Sequence, residues 1–331
     1  MKAILINRCF YNLLYISSYF YIIFGSNTLP PPLCIPKEGK TGIIIGQDYD
    51  SIRNYTMNMK NNHKPYGLMS YTALANDYGE LTGTKEPIDY GSGIQWTDGL
   101  SYEYPDSTIQ LGLWLVGQCH KIRAGLYDHQ INELARYIEK SNSNYILRIG
   151  YEFDSFENNY PVTDYIFAYR RIVNHFRKLN IENIVFVWHA SGFKPRDGLE
   201  YEDWFPGASY VDLCGVSFFQ QPYDCQIPME CRMIYPEQLA SFCKSQNIPV
   251  MIAESTPFGG IIDEITAAND PYAKNDAGYS GSTWNRWFVP IIAYIERHNV
   301  RIWSYINCNW NQQPMWRKNH SPGVLWGDTR L

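Results

Sequence analysis

Two glutamates in this 331-residue chain stand at the ends of short apolar runs: Glu152 ends LRIGYE and Glu254 ends VMIAE. A pair of carboxylates in a cleft can hydrolyse a glycosidic bond, because one attacks the anomeric carbon while the other protonates the leaving oxygen and later activates water. Enzymes that retain the anomeric configuration hold the two carboxyl groups about 5–5.5 Å apart. Either glutamate alone is also compatible with a helix N-cap or a rim charge, but the matched pair favours catalysis.

Arg148 stands four residues before Glu152. Alternate side chains of a strand share a face, so Arg148 is expected on the same face as Glu152. The same alternation is expected to place Glu254 with Ile252. An arginine inside a fold is costly unless it is paired, so its expected partner is one of the two carboxylates, which it would help to keep ionised. The alternative is an arginine that points outward from a frayed strand.

Hydrophobic periodicity predicts the elements that position these residues. Eight short apolar runs follow residue 40, at residues 42–47, 67–74, 109–116, 145–152, 184–191, 211–219, 249–255 and 301–307. Most runs are continuous, which is typical of parallel strands buried on both faces. Amphipathic helical patterns separate several of them, at residues 128–141, 164–179, 236–245 and 284–297. Strands alternating with helices predict a (β/α)8 TIM barrel of the α/β class.

Two segments depart from this pattern. Residues 76–106 are rich in glycine and aromatic residues without a helical pattern, and they predict a structured loop over one end of the barrel. Residues 308–331 show no amphipathic pattern, so the barrel is expected either to close irregularly or to lack a regular final helix. In such barrels functional residues lie where strands end and βα loops begin, which is the position of Glu152 and Glu254.

Composition excludes several functional classes. Hydrophobic residues make up 45% of the chain, so it can bury a core and is not disordered. A net charge of -5 argues against nucleic acid or an anionic membrane as the main partner. The 27 tyrosines and 10 tryptophans suit carbohydrate ligands, because both side chains combine an apolar face with a polar edge. Metal-ligand spacings, nucleotide loops and a serine-hydrolase elbow are missing from the sequence, so neither a cofactor nor a metal is predicted.

The first 26 residues have the charged start, apolar middle and small polar exit of a secretory signal peptide. An uncleaved membrane anchor and a buried helix are the alternatives. A proline-rich lead-in follows at residues 27–40, and residues 41–331 form the predicted single catalytic domain. We therefore expect a secreted, extracellular monomer with no stable membrane association after cleavage of the signal.

The cysteines and one glycosylation motif are compatible with export. Cys225 and Cys231 flank a short polar loop and are the predicted disulfide. Cys214 lies inside an apolar run, which predicts a buried free thiol. Asn54 begins the sequon Asn-Tyr-Thr and is a predicted glycosylation site.

Short segments around these residues resemble a known clan. The chain is similar in layout, over residues 40–328, to the retaining (β/α)8 glycoside hydrolases that include family 26, the β-mannanase and β-1,3-xylanase group. GQDYDSIRNY resembles the family's first strand, WHAS the end of its fifth and YVDLCGVSFF its sixth. The resemblance implies that Glu152, ending the fourth strand, is the acid/base and that Glu254, ending the seventh, is the nucleophile. Family 26 also typically has an arginine four residues before its acid/base, as Arg148 stands here.

Three features depart from the family pattern. Tyr151 stands where family 26 usually has histidine, Glu254 is followed by Ser-Thr-Pro rather than x-Gly, and the clan's usual Asn-Glu pair is absent. The resemblance implies an endo-acting retaining hydrolase of a β-mannan-like or β-xylan-like polysaccharide, with a sister family acting on another polysaccharide left open. The alternative from another functional class is a barrel without catalysis that binds glycans as a lectin does.

Further contacts with a sugar are expected at strand ends. The predicted substrate-binding residues are Gln47, Asp48, Trp188, His189, Asn307 and Trp310. The resemblance also implies that Tyr223, shortly after the sixth strand, hydrogen-bonds the nucleophile, as an aromatic residue does in many clan members. Trp114 is either a sugar platform or a core residue, with the core favoured. The loop acids Asp154 and Glu157 are expected to be solvated.

Overall fold

Eight parallel strands close into the barrel that the apolar runs predict. The strands are β1 (Gly42–Gly46), β2 (Gly67–Ala73), β3 (Thr108–Trp114), β4 (Tyr145–Ile149), β5 (Ile184–Ala190), β6 (Leu213–Phe219), β7 (Val250–Thr256) and β8 (Ile302–Ile306). Each strand pairs in parallel with the next one along the chain, and β8 pairs with β1 to complete the ring. The predicted (β/α)8 fold is confirmed.

The computed structural model describes residues 34–59, 64–74, 83–105, 107–219, 233–257, 260–261, 283–308, 310 and 313–315. They all lie within one unit, Leu33–Leu331. Within these ranges, every helix is too short or too polar to cross a membrane.

Helices lie outside the ring of strands. They are α1 (Tyr49–Asn58), α2 (Thr97–Glu103), α3 (Cys119–Arg123), α4 (Asp128–Lys140), α5 (Val162–Lys178), α6 (Ile234–Ser245) and α7 (Trp284–His298). Between β5 and β6 the described chain forms short 3-10 helices, at Arg196–Gly198, Tyr201–Trp204 and Ala208–Tyr210. The four predicted helical patterns correspond to α4, α5, α6 and α7. Helix α4 illustrates why the helices are predictable. Its buried residues recur at helical spacing on one face: Ile131, Leu134, Ala135 and Ile138.

The segment between β2 and β3 is more regular than predicted. It contains α2 and a short antiparallel pair of strands, Ile88–Asp89 with Ile94–Gln95. Helix α2 is only seven residues long, and its buried residues are Thr97, Gly99 and Leu100. The prediction of a loop without a helix is therefore wrong, because two small or polar residues leave no apolar stripe to detect.

Side-chain alternation divides the barrel into two layers. The inner layer fills the barrel and includes Ile44, Met69, Ile146, Val187 and Met251. The outer layer packs between strands and helices and includes Leu68, Leu147, Trp188 and Ile252. Polar groups in the inner layer satisfy one another: Ser304 Oγ donates to Gln110 Oε1 at 2.5 Å, and Gln110 Nε2 donates to the Ala253 carbonyl at 2.8 Å.

An irregularity in β7 decides where Glu254 points. Val216 of β6 pairs with Ile252 of β7. The next pair joins Ser217 to Glu254, so Ala253 is an extra residue in β7. Such a β-bulge shifts the alternation of the residues that follow it. Ile252 packs in the outer layer, whereas the Glu254 carboxylate lies inside the barrel. The expectation that these two residues share a face is therefore wrong.

Cys214 forms a disulfide with Cys243, which ties β6 to α6. The prediction that Cys214 is a free thiol is wrong, because its outward position in β6 brings it within reach of the covering helix. The predicted pair Cys225 and Cys231 lies outside the described residues. The free cysteines within the described ranges are all buried: Cys34, Cys119 and Cys308.

Residues ahead of β1 pack against the amino end of the barrel. Cys34 and Ile35 are buried in the inner layer, and Cys34 Sγ lies 3.8 Å from the carbonyl oxygen of Tyr145, the first residue of β4. The described fold thus already includes part of residues 27–40, the segment predicted to be a lead-in.

Candidate active site

Arg148 of β4 is fully buried in the barrel. Its guanidinium lies 5.0 Å from the ring centroid of Tyr71 and 5.2 Å from that of Tyr151. It forms an ion pair with Glu254 of β7. A buried arginine needs such a partner, because an unpaired charge in this environment is strongly destabilising. The pairing agrees with the expectation that one of the two glutamates neutralises Arg148.

Glu254 has a second donor that sequence reasoning missed. Tyr71 Oη of β2 donates to Glu254 Oε1 at 2.7 Å, and Arg148 donates to the same oxygen. Burial and the charge of Glu254 raise the pKa of Tyr71 well above its usual value, so the hydroxyl keeps its proton. Among the described residues, Glu254 Oε2 receives no donor. The signal in the sequence is that Tyr71 follows Met69 by two positions and so shares its inward face.

Gly112 of β3 makes room for these groups. The strand register places it between Tyr71 and Arg148. A Cβ atom on Gly112 would lie 2.6 Å from Tyr71 Cδ1 and 2.9 Å from Arg148 Nη2, which is closer than van der Waals contact permits. Only glycine fits here without displacing either side chain. Sequence reasoning missed Gly112, although a glycine inside a strand is a known sign of close approach by a neighbouring group.

Glu152 follows β4 in an unusual backbone conformation. Its φ is 50° and that of Gly150 is 56°, both in the left-handed region that few non-glycine residues occupy. Ser217 Oγ of β6 donates to Glu152 Oε1 at 2.7 Å. Burial and the charge of Glu254 raise the pKa of Glu152 to about 8, and the hydrogen bond from Ser217 opposes this shift. Glu152 therefore holds a proton at neutral pH.

His189 of β5 connects Arg148 to Ser217. Arg148 Nη1 lies 3.3 Å from His189 Nδ1, and His189 Nε2 lies 2.9 Å from Ser217 Oγ. Burial and the charge of Arg148 lower the pKa of His189 well below its usual value, so the imidazole is neutral. His189 is fully buried. Its predicted contact with a sugar is therefore wrong, since its ring nitrogens are occupied by protein groups beneath the site.

Asp154 is buried, contrary to the expectation of a solvated loop acid. Only 1% of its surface is exposed, and its carboxylate accepts from Ser191 N at 2.7 Å and from Ser191 Oγ at 3.1 Å. Burial raises the pKa of Asp154 to about 6, although both hydrogen bonds oppose the shift. These contacts fasten the loop after β4 to the end of β5, beside Glu152. Glu157 on the same loop is exposed, as expected.

Two tryptophans lie in the opposite places from those predicted. Trp188 is fully buried in the outer layer, stacked on Phe153 with 4.5 Å between ring centroids. Its predicted contact with a sugar is wrong, because alternation in β5 turns it toward the helices. Trp114 ends β3 and is 40% exposed, so the favoured prediction of a core residue is also wrong. It shares the inward face of Gly112 and lies at the carboxyl end of the barrel, where a substrate can reach it.

The other predicted contacts join the ends of β1 and β8. Trp310 Nε1 donates to Gln47 Oε1 at 2.5 Å, and Asn307 Nδ2 donates to the Ser51 carbonyl at 3.2 Å. Asp48 caps α1 by accepting from Ser51 N at 3.0 Å. The four predicted residues are each 3–7% exposed. Their hydrogen bonds shape this side of the barrel mouth and leave little surface for a sugar.

Tyr223, the predicted partner of the nucleophile, lies outside the described residues. Asn54 is exposed on α1. Within the part of the chain that the structure describes, histidine, cysteine and acidic side chains form no group that could hold a metal ion.

The amino-acid sequence of this chain is similar to those of known glycoside hydrolases. Residues 156–300 match the sequence profile of Glycosyl hydrolase family 26. A β-1,3-xylanase of Alcaligenes sp. is 28% identical over 314 residues, covering 93% of this chain and 63% of that protein. The β-1,3-xylanase TXYA of Vibrio sp. is 27% identical over 302 residues, covering 90% of this chain and 62% of that protein. Over residues 156–300, this chain resembles glycosyl hydrolase family 26.

A solved structure of a family 26 mannanase has the same fold as this chain. The catalytic domain of the endo-β-1,4-mannanase from Bacillus sp. JAMB-750 aligns with a TM-score of 0.55 at 12% identity, covering 86% of this chain and 83% of that one. At this level of identity, the likeness concerns the barrel fold alone. The chain spans less than two thirds of the length of either xylanase relative.

Proposed function

We propose that this chain is an endo-acting retaining glycoside hydrolase of family 26. The observation that carries the proposal is the contrast between two glutamates at the mouth of one barrel. Glu254 is paired with Arg148, whereas the pKa of Glu152 is raised to about 8. A glycosidase needs one carboxyl group held in place for attack and a second that keeps a proton for the leaving oxygen.

In the proposed first step, Glu254 attacks the anomeric carbon and Glu152 protonates the glycosidic oxygen. Oε2 of Glu254 is the attacking oxygen, because Tyr71 and Arg148 both donate to Oε1. These donors hold the carboxylate in one orientation before the substrate arrives, so little reorganisation is needed. The C–O bond of the substrate breaks, its electron pair leaves with the departing sugar, and an ester to Glu254 forms.

In the second step, water attacks the anomeric carbon while Glu152, now a carboxylate, takes a proton from that water. The ester bond breaks and returns the electron pair to Glu254. The ester carries no negative charge, and the charge of Glu254 is one cause of the raised pKa of Glu152. The pKa of Glu152 is therefore lower in the ester than in the free enzyme, which suits its change from acid to base.

The proposed substrate is a β-1,3-linked xylan. Two relatives that are similar over at least 90% of the chain are named β-1,3-xylanases. Trp114 at the barrel mouth presents an apolar face on which a pyranose ring can stack. The partner of the protein in this proposal is thus the polysaccharide itself.

We also propose that the chain is secreted and works as a monomer without stable membrane association. The apolar start of the sequence and the Cys214–Cys243 disulfide support export, since disulfides persist in oxidising compartments. Expression of the full chain should release the protein into the medium, and deletion of residues 1–26 should prevent release. Retention of the full chain inside the cell would contradict the proposal.

Hydrolysis of purified β-1,3-xylan, β-1,4-xylan and β-1,4-mannan, with sizing of the products over time, tests the activity. Endo action predicts oligosaccharides of mixed length early in the reaction. Glu152→Ala and Glu254→Ala should each lose polysaccharide hydrolysis. On an aryl β-xyloside with a good leaving group, azide should restore the turnover of both variants, and the two azide products should have opposite anomeric configurations. Loss of the acid/base should give the β-azide, and loss of the nucleophile should give the inverted α-azide.

The matched control is Glu157→Gln, which changes an exposed glutamate on the loop that follows β4. It should hydrolyse the polysaccharide at the wild-type rate. Full activity in either catalytic-site variant would overturn the assignment. Binding of a xylan by the wild type without any product would instead identify a glycan-binding barrel.

A further inference from the structure

Four side chains, from three neighbouring strands and the loop after β4, form one hydrogen-bonded line. It runs from Arg148 of β4 to His189 of β5, then to Ser217 of β6, and ends at Glu152 after β4. The three heavy-atom distances are 3.3, 2.9 and 2.7 Å. Arg148, His189 and Ser217 are all buried, so this line has no access to bulk water except through Glu152.

The direction of each hydrogen bond follows from the chemistry of its first member. Arginine has donors only, so Arg148 must donate to His189 Nδ1. A neutral imidazole with an acceptor at Nδ1 carries its proton on Nε2, and His189 therefore donates to Ser217 Oγ. The hydroxyl hydrogen of Ser217 is then free to point only toward Glu152. Glu152 Oε1 is thus fixed as an acceptor.

We propose that His189 and Ser217 are positioning residues that reserve Glu152 Oε1 as an acceptor and so hold the acid proton of Glu152 on Oε2. This inference rests on the proposed function, in which Glu152 delivers a proton to the substrate. A carboxylic acid whose Oε1 accepts from Ser217 carries its own hydrogen on the other oxygen. Ser217 thereby also stabilises the ionised form that acts as base in the second step.

The titratable groups around Glu152 do not take the place of Ser217 as its hydrogen-bond donor. The groups that act on its carboxyl group are Glu254 from β7, Arg148 from β4, and Asp154 from the loop after β4. Tyr71 of β2 and Tyr151 beside Glu152 face the same cluster with raised pKa values and stay neutral. Among the described residues, Ser217 is the one side chain that donates a hydrogen bond to Glu152.

The test is Ser217→Ala in the full chain, with the titration of Glu152 followed by NMR of glutamate labelled with carbon-13 at the side-chain carboxyl. The Glu152 signal is identified by its loss in Glu152→Gln. Removal of the donor should raise the pKa of Glu152 by about 1–2 pH units, because a hydrogen bond to a charged group contributes about 1.5–3 kcal/mol. The alkaline limb of kcat/KM on β-1,3-xylan should move in the same direction.

Two variants show whether the effect is specific. Ser217→Thr keeps the hydroxyl and should restore the wild-type titration. Ser304→Ala removes another buried hydroxyl of the inner layer, one that donates to Gln110 and contacts neither glutamate. It should leave the pKa of Glu152 unchanged even if it lowers the melting temperature.

Leaving-group dependence separates proton delivery from general damage. Ser217→Ala should lose more activity on an aryl xyloside with a poor leaving group than on one with a good leaving group, because only the former needs a well-placed proton. An unchanged titration of Glu152 in Ser217→Ala, or an equal shift in Ser304→Ala, would overturn the inference. If the wild type hydrolyses no glycan, the proposed function fails while the NMR titration still decides whether Ser217 sets the proton affinity of Glu152.

Discussion

Tyr71 on β2 reaches across the barrel interior to Glu254 on β7, and its hydroxyl donates to Glu254 Oε1 at 2.7 Å. The two strands are not neighbours in the sheet. The resemblance to the clan implies that the nucleophile has an aromatic partner shortly after β6, at Tyr223. Tyr71 instead belongs to β2, much earlier in the sequence. In the proposed mechanism, this contact leaves the other carboxylate oxygen of Glu254 for the substrate.

Tyr71→Phe should lower kcat/KM on the polysaccharide by about 10- to 100-fold, because a hydrogen bond to a charged group contributes about 1.5–3 kcal/mol. The ring that packs on Arg148 remains in this variant. The variant should therefore keep its fold, with a melting temperature lowered by the lost hydrogen bond, and the loss of kcat/KM should persist well below that temperature. Steady-state kinetics and a thermal melt of the same preparation measure both.

Tyr151→Phe is the matched control for that substitution. The Tyr151 ring also flanks Arg148, at 5.2 Å, and within the described chain its hydroxyl donates to neither glutamate. Its effect on kcat/KM should be clearly smaller. Equal losses in the two variants would mean that the hydroxyl of Tyr71 has no special role at Glu254.

Glu152 should make the protein less stable as the pH rises. The pKa of Glu152 is about 8 in the folded protein and near 4.5 in the unfolded chain, so between these values the folded state binds more protons. The free energy of unfolding must then fall with rising pH across this window. Glu152→Gln removes the titration, and its melting temperature should exceed that of the wild type increasingly from about pH 5 to about pH 8.

The comparison variant for this pH effect is Glu157→Gln, because Glu157 is exposed on the same loop. Its melting temperature should follow that of the wild type at every pH. A constant difference between Glu152→Gln and the wild type, independent of pH, would show that packing rather than protonation causes the change.

Gly112→Ala should reduce activity through Tyr71 and Arg148 without touching a reacting atom. The added methyl group would lie 2.6 Å from Tyr71 Cδ1 and 2.9 Å from Arg148 Nη2, so one of these side chains must move. We expect a loss of kcat/KM of at least tenfold and a loss of unfolding free energy of about 1–3 kcal/mol, as is usual for overpacking. Urea denaturation and kinetics measure the two effects.

Gly42→Ala provides equal crowding in a different place. Its Cβ would lie 2.6 Å from Tyr66 Cγ, beside Pro36 at the amino end of the barrel. This variant should lose stability and keep the kcat/KM of the folded protein. If both glycine variants lose activity alike, the effect of Gly112→Ala is not local to the site.

The sequence predicts the barrel well because the buried faces of its strands and helices produce a regular pattern of apolar residues in the sequence. All eight apolar runs became strands, and α4 shows its inner face through Ile131, Leu134 and Ile138. The same rule places Arg148 inside β4 and close to a carboxylate. Helix α2 is missed for the same reason, since its buried positions include Thr97 and Gly99.

The candidate site depends on contacts across the barrel that local patterns do not encode. Tyr71, Gly112 and Ser217 come from three different strands and look like ordinary strand residues until the register brings them to Arg148 and Glu152. The bulge at β7 is equally invisible, because one extra residue leaves the apolar run unbroken. Strand alternation alone therefore predicts, wrongly, that Glu254 shares a face of β7 with Ile252.

The Cys214–Cys243 disulfide should stabilise the folded chain substantially. It closes a loop of 29 residues, and the loss of loop entropy in the unfolded chain corresponds to about 3–4 kcal/mol. The double variant Cys214→Ala, Cys243→Ala should therefore show a lower urea midpoint than the wild type. Dithiothreitol should lower the wild-type midpoint by more than that of the variant, which keeps Cys225 and Cys231. Cys119→Ala removes a buried free thiol instead, so its midpoint should still respond to dithiothreitol. An equal response of the wild type and the double variant would contradict a stabilising role for this bond.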